Sequence, residues 1–149
     1  MSDKKIEVRL LTPAVRSAQS QYKYQGEADM AIVRTITGDR GFLYGHEPCS
    51  VVLDAGVLRI LRDGHDELKL AVLGGAAQFE DNIVTIVTET AEWPEDIDKS
   101  KAMAKRDEIL AHMEKATPQE QDGLRMELRG AETLILVSGF PPSGITHEK

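Results

Sequence analysis

The feature that most constrains this chain is a change of hydrophobic period at Trp93-Pro94. Before it, apolar residues recur at the two-residue spacing of half-buried strands; after it, they recur at the three-and-four spacing of helices. Ile6-Glu7-Val8-Arg9-Leu10 alternates strictly, and Met30 to Thr37 is a β-branched apolar run. Val57 to Leu61, Leu68 to Leu73 and Ile83 to Thr88 carry high strand propensity. Asp63-Gly64 and Asp81-Asn82 suit hairpin turns, which need positive φ, and Gly74-Gly75 marks a bend or bulge where a side chain would obstruct. Strands at this spacing, with no helical pattern between them, predict an antiparallel β-sandwich over residues 1–92.

Beyond the change, Pro94 suits a first helical turn, with Glu95, Asp96 and Asp98 where the helix dipole favours anions. Ala102, Ile109, Met113 and Ala116 then share one face, flanked by Met103 and Leu110. Thr117-Pro118-Gln119-Glu120 predicts a second helix start, with Thr117 as cap and Glu120 completing a capping box. Leu124, Leu128, Ala131 and Ile135 form a narrow seam suited to one other helix. The short connection predicts an antiparallel two-helix hairpin over 93–138. Gly123 and Gly130 each cost about 1 kcal/mol against alanine in a helix interior, which makes the second helix the weaker. Gly139-Phe140-Pro141-Pro142-Ser143-Gly144 ends that helix, and 139–149 is predicted to be a disordered tail. The fold class is therefore α+β in two parts.

Charge and chemistry exclude several classes of function. The formal charge is −7, and acids outnumber bases both before Trp93 (14 to 10) and from it onward (11 to 8). No basic stripe exists to neutralise a phosphate backbone, which argues against nucleic acid as a partner. One cysteine, Cys49, allows no intrachain disulfide and is read as a small buried hydrophobe. Met1-Ser2-Asp3-Lys4-Lys5 runs into the first strand without an apolar signal core, and no segment approaches the ~20 apolar residues that span a bilayer. His46-Glu47 and His65-Asp66 are the only His–carboxylate pairs, and neither has a clear third ligand for a metal. No nucleophile elbow and no phosphate loop is present, so the chain is read as non-catalytic, with no required cofactor. The segment Gly38-Asp39-Arg40-Gly41-Phe42-Leu43-Tyr44-Gly45-His46-Glu47-Pro48 is read as an inter-strand corner, of the kind that presents contact residues to a partner.

That corner belongs to an ordered set of motifs. Gly26-Glu27-Ala28-Asp29-Met30 precedes it; Leu53-Asp54-Ala55-Gly56-Val57-Leu58-Arg59-Ile60, Gly74-Gly75, Asn82-Ile83-Val84-Thr85-Ile86 and Glu95-Asp96-Ile97-Asp98 with Ala102 follow. Together, from Ile6 to about Ala111, the set resembles the epsilon subunit of bacterial F-type ATP synthases, called delta in mitochondria. The resemblance implies a β-sandwich followed by two helices, agreeing with the reading of the residues. It implies a central-stalk subunit that docks the gamma subunit onto the c-ring, couples proton flow to ATP synthesis, and restrains hydrolysis through its C-terminal helices. Asp39, His46, Glu47 and Pro48 would lie on the docking loops. An extended hairpin would reach the alpha and beta catalytic subunits, and the chain would sit peripherally on the cytoplasmic face of a bacterial membrane, held by its complex.

Some members bind ATP through Ile/Leu-Asp-x-x-Arg-Ala in the folded hairpin. Here the stretch is Ile97-Asp98-Lys99-Ser100-Lys101-Ala102, so lysine replaces arginine and the planar bidentate fork is lost. Arg125 and Arg129, one turn apart, are the second-helix candidates for a phosphate. Beside this stands the plainer reading, which the residues favour, that these are solvated surface charges. Tyr44 also departs from the family, where proline usually precedes the Gly-His pair. The alternative function is a nucleotide-sensing β module without a rotor role, and a third reading is a metal-dependent sandwich enzyme resting on His46 and His65.

Overall fold

The computed structural model describes residues 4–13 and 22–145. Eight strands come first: β1 (Ile6–Leu11), β2 (Tyr24–Ala28), β3 (Met30–Thr35), β4 (Gly38–Leu43), β5 (Cys49–Leu61), β6 (Leu68–Glu80), β7 (Ile83–Val87) and β8 (Ala91–Glu92). A 3-10 turn, Pro94–Asp96, leads to α1 (Lys99–Met113) and α2 (Pro118–Ser138). The strands form one sheet in the order β2-β1-β7-β6-β5-β3-β4, with β8 paired to β6. Every pairing is antiparallel except β1 with β7, which run parallel, a departure from the wholly antiparallel expectation.

The sheet becomes a sandwich because β5 and β6 are long enough to belong to both layers. Cys49–Leu53 pairs with the part of β6 that also pairs with β7, and Ala55–Ile60 pairs with Leu68–Leu73 while also meeting β3. Their ladder keeps one register throughout and omits only the Asp54–Gly74 pair, at the bend where Gly74 and Gly75 take φ of +92° and +112°. Only glycine tolerates such angles readily. At Gly75 a Cβ would also lie 2.1 Å from the Val87 carbonyl oxygen. The glycine pair thus bends a strand that continues beyond it. The bend was expected at this pair; the continuation of β6 to Glu80 and the first half of β5 were not.

Between the layers lies one apolar core. Trp93, Phe42, Phe79, Ile6, Leu10, Leu58 and Ile60 are all under 2% exposed, and β1 alternates buried with half-buried residues as its period requires. Phe42 and Phe79 stack at 5.4 Å, while Tyr24 meets Trp93 edge-on at 5.9 Å. Cys49 is only partly buried, packed against this core rather than inside it.

Of four turns and helix starts, two follow expectation and two differ. Asp81 and Asn82 do take φ of +53° and +60°, and the pairing of Glu80 with Ile83 closes the two-residue hairpin. At Asp63-Gly64 only Gly64 is at positive φ, and the connection is wider, from Arg62 to Glu67. Pro94 opens the 3-10 turn rather than the helix, and Asp98 caps α1 by accepting from the Lys101 amide at 3.1 Å. Thr117 caps α2 as expected, accepting from the Glu120 amide at 3.3 Å; its hydroxyl then donates to the Glu120 carboxylate at 3.1 Å.

The hairpin lies folded on the sandwich. In α1, Ala102 and Ile109 are buried; in α2, Gly130, Ala131, Thr133 and Val137 are. The second helix therefore serves both its neighbour and the sheet, where a seam for one helix was expected. Gly130 faces β6: a Cβ there would stand 3.6 Å from Leu73, an ordinary van der Waals contact. Of the tail expected from 139, residues 140–145 are placed against the rest of the molecule, and 146–149 lie outside the described residues.

Candidate functional site

The predicted docking corner divides in two. Gly38–Leu43 is not a loop but the edge strand β4, joined to β3 by the turn Ile36-Thr37. Thr35 secures that turn by donating its hydroxyl to the Gly38 carbonyl at 2.6 Å. Asp39 lies at the turn end of β4, exposed, and pairs with Arg34 directly across the ladder at 3.3 Å. A rise of four residues, roughly 13 Å, separates it from Leu43, after which the true loop begins. Asp39 therefore does not share a loop with His46, Glu47 and Pro48.

The loop 44–48 is seated rather than free. Gly45, at φ +84°, donates its amide to the Asn82 side chain at 2.7 Å, tying the loop to the β6–β7 turn. His46 sets its ring edge-on to Phe42 and Phe79, at 5.3 and 5.4 Å, and its Nδ1 lies 2.7 Å from the Glu47 carbonyl oxygen. The histidine thus anchors the loop on the core, while Glu47 and Pro48 face solvent. Tyr44, 47% exposed, carries the Lys4 ammonium 5.3 Å from its ring centre. At the same end of the sandwich, Lys5 bonds to Asp29, whose other oxygen accepts from the Asp63 amide at 2.5 Å. The Lys5 bond, aided by the Asp63 amide, holds the Asp29 carboxyl below its usual range against an opposing desolvation that is second only to the Lys5 bond. His65 lies exposed in the β5–β6 connection. Among the described residues no group of three or more His, Cys, Asp or Glu is arranged to hold a metal ion.

The six hairpin candidates each have their own partners or surroundings. Asp98 is engaged as a helix cap, Lys101 is exposed, and Ile97 is half-buried before the helix. Ala102 faces inward and is buried. Arg125 is held along its own helix by Asp122 at 2.6 Å and Gln121 at 3.4 Å. Arg129 leaves the helix and bonds Asp54 of β5 at 3.1 Å, joining hairpin to sandwich. Between these layers lies a groove of about 360 Å³, walled by Leu73, Gly74, Ala102, Met126, Gly130 and Leu134. Ala102 is the one predicted residue that lines it. Asp54 and Lys105, which also line it, were missed by reading the helices alone; the Asp54 signal was a carboxylate interrupting the apolar run at Leu53.

Across the outer surface of the sandwich, Arg59 and Lys69 stand directly opposite in the β5–β6 ladder. Such a like-charge pair is unfavourable, and Glu67 resolves it by bonding Arg59 at 2.7 and 3.2 Å with Lys69 at 3.6 Å. The Glu67 bond raises the Arg59 pKa further above its usual value. No helix among the described residues is long and apolar enough to cross a membrane.

A family described as "ATP synthase, Delta/Epsilon chain, beta-sandwich domain" matches residues 7–94. An ATP synthase epsilon chain from Brevibacillus brevis is 37% identical over 103 residues, covering 69% of this chain and 74% of that one. Another from Halalkalibacterium halodurans is 33% identical over 118 residues, covering 78% and 88%. Among solved structures, a chain of the Euglena gracilis mitochondrial ATP synthase (OSCP/F1/c-ring) superposes with a TM-score of 0.74 at 24% identity, over 90% of this chain and 81% of that one. A chain of the Tetrahymena thermophila mitochondrial ATP synthase central stalk and c-ring gives 0.56 at 16%, over 90% and 96%. These last two speak for the fold, including the two helices behind the sandwich. The sequence matches carry the assignment: the chain belongs to the ATP synthase delta/epsilon family.

Proposed function

We propose that this chain is a non-catalytic rotor subunit that docks gamma onto the c-ring, with the sandwich as docking body and the hairpin as regulatory element. The observation that carries the reading is a family-type sandwich bearing a helical pair that rests on it through small residues and a surface ion pair, Gly130, Ala131 and Arg129–Asp54. Such a contact is modest enough to open: an exposed ion pair contributes about 0–1 kcal/mol, and no large side chain of α2 is locked into the core. A folded hairpin and an extended one, reaching the alpha and beta subunits, then form a two-state element that partners can bias. Asp39 at one end of β4 and Glu47-Pro48 at the other offer separate contact points, so they serve different partners or different parts of one. The chain sits at the cytoplasmic face of a bacterial membrane by virtue of these partners.

Co-purification with gamma tests the docking role; a folded chain that fails to retain gamma would sink it. Shortening the chain to end at Asp98 tests the regulatory role in the assembled complex. Docking is expected to persist while ATP hydrolysis rises, and unchanged hydrolysis would remove the hairpin from regulation. ATP as a ligand of the hairpin has weaker support, because Arg125 and Arg129 are committed to Asp122 and Asp54. Calorimetry with Mg-ATP is expected to show no heat at micromolar ligand; a clear isotherm would revive the nucleotide-sensing reading.

A further inference from the structure

We infer that residues 140–145 form a strap that clamps the helical hairpin shut at its base. Gly139 ends α2 with its amide on the Leu136 and Val137 carbonyls, and Pro141-Pro142 cannot continue the helix. The chain turns back instead and is fastened at three points. The Phe140 ring sits under the Lys69 ammonium, 4.7 Å from its centre. Ser143 gives both its donors to one carboxylate: the amide reaches one Glu95 oxygen at 3.0 Å and the hydroxyl bonds the other. Ile145, its amide on the Ser143 hydroxyl oxygen at 3.1 Å, packs half-buried against the sandwich core. Gly144, at φ +75°, permits the turn between the last two.

What Ser143 joins gives the strap its meaning. Glu95 lies in the 3-10 turn just before α1, 48 residues earlier, where the hairpin leaves the sandwich. The exit of the hairpin is thereby bonded to its entrance, and Phe140 adds a second tie to β6. The end of α2 cannot swing away from the sheet while both ties hold. Strap release must precede any lifting of the second helix, which adds a local barrier to whatever packing α2 has. The two donors also converge on a charged acceptor, the stronger class of hydrogen bond, whereas α2 itself buries only small or medium side chains against the sheet. The relevance of this barrier to hydrolysis rests on the two-position hairpin proposed above; the strap itself does not.

Amide exchange on the full-length chain alone therefore separates the two. Three variants suffice: Ser143→Ala, Phe140→Ala and the pair combined. Loss of the Ser143 hydroxyl bond is expected to speed exchange over residues 131–138 about tenfold. Loss of the cation–π contact is expected to speed it about threefold, and the double variant more than either. Exchange in β1 and β7 should stay within about twofold of the parent. Unchanged exchange over 131–138 in the double variant would overturn the strap. Equal acceleration in β1 and β7 would overturn it too, since 140–145 would then be a general support of the sandwich. Neither result depends on gamma, so a failed docking test and a failed strap remain distinguishable.

Discussion

In the sandwich the interior is filled by Trp93, Phe42, Phe79 and a ring of Ile and Leu side chains, each 2% exposed or less. The hairpin reaches the interior with Ala102, Ile109, Gly130, Ala131, Thr133 and Val137, while Met126 and Leu136 remain 56% exposed. Burying one large apolar side chain contributes about 1.5–3 kcal/mol, and an alanine much less. The two regions are therefore held by different means. One has a core that unfolds as a unit; the other has close approach of small residues, a surface ion pair and the ties at its base. A docking body needs the first, and an element that must move needs the second.

Substitutions in the two regions should accordingly report in different ways, and the largest effect belongs to the sandwich. Phe79→Ala removes one ring of the Phe42–Phe79 stack and one of the two seats of His46. A loss of about 3–5 kcal/mol is expected, seen as a single cooperative fall in the thermal midpoint of about 10 °C. Because His46 anchors the loop 44–48, gamma or c-ring retention should weaken in the same variant even below its melting temperature. A midpoint shift without any loosening of that loop would break the link between core and docking surface.

In the hairpin, Thr117→Ala removes the α2 cap, whose hydroxyl serves both the amide and the carboxylate of Glu120. The cost is about 1 kcal/mol, but it should appear as faster exchange in the first turns of α2 and not as a lower sandwich midpoint. A full shift of the global transition would show that hairpin and sandwich unfold together, and the contrast drawn above would fail.

The same contrast explains what could be read from sequence. The Trp93-Pro94 change of period, the Asp81-Asn82 hairpin and the Thr117 cap are local signals, set by neighbours in the chain. The extent of β4 was hidden because its glycines were taken for a corner. In fact Gly41 lies within the strand under a neighbouring side chain: a Cβ there would lie 2.4 Å from the Met30 methyl, which would have to swing aside. Gly74-Gly75 was rightly read as a bend where a side chain would obstruct, but the obstructing group, the Val87 carbonyl, cannot be seen without the fold. The parallel β1–β7 pairing is a long-range event with no local mark. At the candidate site, His46 was legible as a residue of interest but not as an aromatic-seated anchor, and Arg129 not as a partner of Asp54 across 75 positions. Residues 140–145 were read as disordered because their composition is that of a linker; their three contacts to distant residues leave no local mark.

The smallest expected effect lies at the border between the two regions and carries a definite sign. Glu92, on β8 just before the period changes, has its pKa raised above the usual carboxylate value by burial, with Asp96 adding to the shift and Lys23 opposing it. A folded pKa above the unfolded one means that the protonated form suits the fold better. The group's favourable contribution is complete below the unfolded pKa and is lost as pH rises through the folded pKa. At neutral pH the ionised carboxylate is thus a small burden at the joint. Glu92→Gln, which keeps the shape and removes the charge, is expected to stabilise the chain at pH 7 by about 0.5 kcal/mol or less, because a half-exposed charge is screened by solvent. The gain should vanish below the ordinary carboxylate range, where both versions are neutral, provided thermal midpoints are compared at matched ionic strength. An equal gain at both pH values would point to a packing effect of the amide, and a loss at pH 7 would mean that the attraction of Lys23 outweighs burial.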